Sequence, residues 1–125
     1  MNKVLKIIVI LPALLFLAMG VRILVAPEGA LGELGMPLLD GLGRSTQIGD
    51  LGAFFITGAI LILLGVFTGK REWLYAPALL LGLTAVFRLW ATVGHDAPLA
   101  VQQIAVEVFV TALLVFAASR IKSAG

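Results

Sequence analysis

Four apolar runs, each close to the length of a bilayer crossing, leave this chain few folds to choose from. They cover about residues 4–26, 46–67, 73–93 and 99–119. A hydrocarbon core about 30 Å thick takes roughly 20 helical residues. In lipid, every backbone N–H and C=O must be satisfied internally, which a helix does within its own segment. The expected fold is therefore all-α, an integral membrane four-helix bundle forming one domain over residues 1–125. Composition agrees. The chain is 61% hydrophobic and 13% charged, whereas a soluble domain is about half apolar and a quarter charged.

Basic residues set the expected orientation. With four crossings, Lys3, Lys6, Lys70, Arg71, Arg120 and Lys122 fall on one side and only Arg44 on the other. The positive-inside rule then predicts that both termini are cytoplasmic, in a bacterial inner membrane. Lys3 and Lys6 before an apolar run, with Ala18 and Gly20 further on, also fit a signal peptide. The run is too long for a signal h-region, so it is read as an uncleaved first span. Pro12 lies within that span, where membrane helices tolerate proline.

The outer loop, 27–45, is rich in glycine and carries Pro27 and Pro37, which break helices and set turns. It reads either as a flexible connector or as a surface segment with Leu31, Leu34, Leu38, Leu39 and Leu42 turned to the membrane. Ser45 or Thr46 would cap the second span. Gly49 and Ala53 in that span form a small-xxx-small pair of the kind that lets helices approach closely. Trp73, Tyr75 and Trp90 suit an interfacial aromatic belt.

Charges within the runs are the candidate site. Arg22, Asp50, Arg88 and Glu107 each lie in a different apolar region. Arg88 is about 8 Å and Glu107 about 12 Å below the non-cytoplasmic ends of their helices. An arginine at the centre of a span is unfavourable by roughly 2.5–3.5 kcal/mol on insertion scales. Arg88 should therefore meet a carboxylate, Glu107 first and Asp50 otherwise. Thr84, Arg88 and Thr92 share one helical face, as do Gln103, Glu107 and Thr111; Asp50 and Thr57 are one heptad apart. These residues together predict an internal polar seam. Three readings remain open: snorkelling to the interface, interhelical ion pairs that fix packing, and a binding or proton-handling site.

Other chemistries find little support. Cys is absent, which excludes disulfides and thiolate sites. His95 and Asp96 stand together at the mouth of the seam, too few for a metal site. In the bland reading they form a solvated turn, with Asp96 capping span four. No Ser-His-Asp order or phosphate loop is present, and the basic residues form no nucleic-acid face. No catalytic residue, metal or cofactor is assigned.

The order of short motifs resembles a bacterial family. Gly20-Val21-Arg22 with Pro27, Gly49-Asp50-Leu51-Gly52, Phe87-Arg88, Asp96-Ala97-Pro98 and Glu107 are similar to those of small four-helix membrane proteins filed as a domain of unknown function, broadly akin to the DoxX-like group. That resemblance covers nearly the whole chain. It implies a membrane bundle and, through DoxX-like accessory parts of membrane redox systems, a partner subunit. It carries over no catalytic residue.

The functional expectation is binding of a small amphiphile, or of a partner membrane protein as an accessory subunit, within the lipid bilayer. Homo-oligomerisation is the other association considered. The alternatives are a membrane enzyme with Glu107 or Asp50 as acid/base and a small proton-coupled transporter.

Overall fold

The computed structural model describes residues 1–122, whose regular secondary structure is all helical, with no strand among them. The elements are α1 (Lys3–Val25), α2 (Pro27–Glu33), α3 (Gly41–Thr46), a π-helical turn (Gln47–Leu51), α4 (Gly52–Thr68), α5 (Glu72–His95) and α6 (Val101–Ser119). Four continuous helices are long and apolar enough to cross a membrane: α1, the run from α3 through α4, α5 and α6.

Asn2 opens α1 by accepting the Leu5 N–H at 2.8 Å, which satisfies one of the orphan donors of the first turn. The helix continues through Pro12. Its strongest packing is on α4, and that of α5 is on α6. Contacts of α4 with α5 join the two pairs, while α1 and α6 share only a narrow seam. The core fills one half of the assembly. Val9 and Ala13 of α1 meet Ile62 of α4, Leu74 and Leu81 of α5, and Leu114 of α6. The same end gathers the chain's extremities: the Met1 ammonium donates to the Arg120 carbonyl at 3.0 Å, and Arg71 Nη2 to the Ile121 carbonyl at 2.7 Å.

Small residues control how closely the helices approach, but they are not the expected pair. A Cβ at Gly20 would stand 2.6 Å from Ile56 Cδ1, and one at Gly65 would strike the Leu74 side chain and come within 3.4 Å of its backbone nitrogen. Gly58 lies under Phe16. Gly49, by contrast, has open space where a Cβ would be, and Ala53 is exposed. The reason is angular. Gly52, Gly58, Ile62 and Gly65 face inward, and Ala53 lies about 100° round the helix from Gly52.

Span boundaries differ from the sequence reading at the distal end, opposite the termini. The second span begins at Gly41, five residues early, so Ser45 and Thr46 lie inside a helix and cap nothing. Arg44 stabilises that earlier start: its Nε donates to the Leu39 carbonyl at 2.8 Å, and its Nη2 to Asp40 at 3.1 Å. The outer loop is partly helical. Pro27 occupies the first position of α2, where a missing N–H costs nothing, and Ala30 and Leu31 are fully buried. Gly35, at φ +85°, ends it while the Met36 N–H returns to the Leu31 carbonyl at 3.0 Å. The loop leucines do not form one buried row: Leu31 is buried while Leu39 and Leu42 are exposed. α5 runs on to His95, and Asp96 closes it with φ +56° as the Ala97 N–H reaches the Ala91 carbonyl at 3.1 Å. Asp96 therefore terminates the third span rather than capping the fourth, which starts at Val101 after Ala100 without a side-chain cap.

Candidate functional site

The charges settle into two separate ion pairs. Arg88 Nε, from α5, donates to both oxygens of Glu107 on α6, at 3.0 and 2.9 Å. Glu107 is the more buried partner, with its side chain 10% exposed against 32% for Arg88. Arg22, near the end of α1, forms a two-pronged pair with Glu33 of α2, at 2.8 and 3.0 Å. Glu33 is held below the usual carboxylate range by the hydrogen bonds from Arg22, and secondarily by its charge. Asp50 is exposed on the π turn and forms no ion pair among the described residues. The four charges are thus not one cluster. The physical reason is the fold of residues 27–33, which places Glu33 beside Arg22 before Asp50 can serve it.

The polar stripes divide as well. Thr84 and Gln103 line a cavity together with Arg88 and Glu107. The Thr84 hydroxyl donates to the Leu80 carbonyl at 2.7 Å, a local bond one turn back. Thr92 bonds the Arg88 carbonyl at 3.3 Å, outside the cavity lining. Thr111 lies deeper, against Gly82, with its hydroxyl buried and without a hydrogen-bond partner among the described residues. Thr57 is exposed on the outer side of α4, because α4 turns its inward face at Gly58 and Ala59. His95 packs against the edge of Trp90, ring centroids 6.0 Å apart.

The cavity measures about 560 Å³, within the range that holds small organic ligands. Its apolar wall comes from Phe16 of α1, Phe54 and Phe55 of α4 and Leu81 of α5. Leu34 and Met36 roof it from the outer loop. The three phenylalanines contact edge to face, with Phe55 5.7 Å from Phe16 and 5.1 Å from Phe54. Gln102, Gln103 and Val106 of α6 form its rim. Val106 is 54% exposed, and Phe16 of α1 and these α6 residues line the same cavity.

Two features of this geometry govern its chemistry. Glu107 engages Arg88 through Nε alone, so Nη1 and Nη2 have no acceptor among the described residues. Neither is sealed in the interior, and the Arg88 side chain, 32% exposed, lines the cavity. The amides of Gln102 and Gln103 likewise form no side-chain hydrogen bond among the described residues. A site results with an apolar floor and a donor-rich rim. No group of three or more His, Asp or Glu side chains capable of holding a metal occurs among the described residues.

Several contributors gave little sequence signal. Gln47 is buried and ties down the roof. Its Oε1 accepts the Leu39 N–H at 2.8 Å, and its Nε2 donates to the Pro37 carbonyl at 3.0 Å. A lone polar residue opening an apolar run, with two prolines upstream, was the only available sign. Glu33 lay in a glycine-rich loop, and the phenylalanines resemble ordinary lipid-facing residues. No family model, curated protein or solved structure matches the chain.

Proposed function

We propose that the chain is a multi-pass protein of the bacterial inner membrane, a four-helix bundle with cytoplasmic termini, that holds a small amphiphile in the distal cavity. One observation carries this reading. An aromatic and aliphatic wall faces Arg88 donors for which the protein supplies no acceptor. A tail suits the first surface and a polar head the second. Val106, a lining residue that is itself exposed, marks a route for such a molecule from the bilayer. Orientation rests on the basic residues gathered with the termini.

Acid/base catalysis and proton-coupled transport fit less well. Both oxygens of Glu107 are committed to Arg88, and Asp50 is not in the cavity lining. An accessory role beside another membrane protein has its own support. Gly49, Asp50, Ala53 and Thr57 are all exposed on one side of the second span, where lipid would favour larger apolar residues. The resemblance to DoxX-like proteins points the same way.

Extraction of lipids from the detergent-purified chain, followed by mass spectrometry, tests the binding reading. Wild type should retain an amphiphile that Val106→Trp loses, since the indole would fill the cavity mouth from an exposed position. Equal recovery from both proteins would overturn it. The absence of cysteine also permits single-cysteine labelling at positions 33 and 96. Modification only from the cytoplasmic side would reverse the proposed orientation.

A further inference from the structure

We infer that the amphiphile held beside Arg88 has an uncharged head with hydrogen-bond-accepting oxygens, of the glycerol-ester class, and is not an anionic lipid or fatty acid. This inference rests on the amphiphile-binding reading and concerns only the chemistry of the head.

The argument begins with charge. Among the described residues, Arg88 and Glu107 are the only ionisable side chains lining the cavity, and their formal charges cancel. The other arginines at this end are engaged elsewhere: Arg22 is committed to Glu33 through both terminal nitrogens, and Arg44 to the Leu39 carbonyl and Asp40. An anion approaching Nη1 and Nη2 would gain the attraction of one guanidinium. It would also meet the carboxylate bonded to the Nε of that same group. It would still lose its hydration on entering a wall of Phe16, Phe54, Phe55 and Leu81, the dominant penalty for a charge leaving water.

Hydrogen bonding leads to the same head group. The cavity offers donors in excess through Arg88, whose Nη1 and Nη2 only donate, while the Gln102 and Gln103 amides add N–H donors together with acceptor oxygens. Thr84 spends its hydroxyl proton on Leu80. Ester and hydroxyl oxygens satisfy such donors without bringing a charge into a low-dielectric site. Glu107 is then a positioning residue. By taking Nε, it fixes the guanidinium while leaving both terminal nitrogens outside the ion pair, and it lowers the site's attraction for anions.

A competition on the full-length purified chain tests this. Monoolein and oleate share one acyl chain and differ in the head. They are offered together in equal amounts, at an alkaline pH where oleate is ionised, and bound adducts are read by native mass spectrometry. Wild type should favour monoolein by about tenfold or more, equivalent to roughly 1.4 kcal/mol. Val106→Trp should abolish the preferred adduct, which locates it in the cavity. Glu107→Gln leaves Arg88 uncompensated, so the ratio should move towards oleate by a similar factor. Equal binding or an oleate preference in wild type would overturn the inference while leaving an amphiphile site in place. Binding of neither lipid would remove the site itself. If Glu107→Gln fails to fold, the wild-type competition decides alone.

Discussion

Arg22 and Glu33 join the end of α1 to α2 through parallel bonds of 2.8 and 3.0 Å. The pair turns the chain back across the distal end, where Ala30 and Leu31 are buried. Its stability contribution has a defined pH dependence. The Glu33 pKa is lowered by Arg22, so the contribution is fully present above the ordinary glutamate value of about 4.3. It is lost as pH falls through the lowered, folded-state value. Amide exchange over residues 27–36 should stay slow from neutral pH to about pH 5 and rise in stronger acid, once intrinsic exchange rates are corrected for. Glu33→Gln should show the faster exchange already at neutral pH, without change in α5 or α6.

Gln47 should matter more than its place near a helix start suggests. Gln47→Leu removes the acceptor for the Leu39 N–H and the donor to the Pro37 carbonyl. Leaving buried polar groups without partners costs about 1–3 kcal/mol. A fall in melting temperature should accompany faster labelling of single cysteines placed at positions 36–40.

Glycine substitutions should sort by contact rather than by spacing. Gly65→Ala forces a Cβ into Leu74, and overpacking of this kind costs about 1–3 kcal/mol. Gly49→Ala meets nothing within 4 Å and should be neutral, or stabilising by up to about 1 kcal/mol from helix propensity. Thermal unfolding in detergent separates the two outcomes, and a costly Gly49→Ala would show that its face packs on something.

The two halves of the central ion pair should respond unequally. Arg88→Met leaves Glu107 buried without a counter-charge. Loss of one partner costs about 3–5 kcal/mol in fully buried pairs, and the low end applies because the Arg88 side chain is 32% exposed. Glu107→Leu should be milder, since Arg88 can swing its partly exposed side chain towards the interface. The double variant Arg88→Met with Glu107→Leu should recover most of the stability. If it also retains bound amphiphile, the pair only ties α5 to α6 and the donor-rich rim is not a binding feature.

By itself, the sequence determined the class of structure. Four long apolar runs leave helices as the economical way to satisfy backbone hydrogen bonds in lipid, and four such helices form. It also carried the meeting of Arg88 with Glu107, because a cation that deep requires a nearby carboxylate and the polar faces of α5 and α6 hold both groups. Only the tertiary structure decided the rest. Whether Arg22 faced Asp50 or Glu33 depended on how residues 27–40 folded, and loop geometry set by Gln47, Arg44 and Gly35 leaves no periodic trace. The contact glycines could not be told from the exposed ones, since every small residue reads alike until the rotation of its helix is fixed. The cavity is lined jointly by Phe16 of α1 and by Gln102, Gln103, Val106 and Glu107 of α6, a relation between chain segments about 90 residues distant that no local pattern encodes.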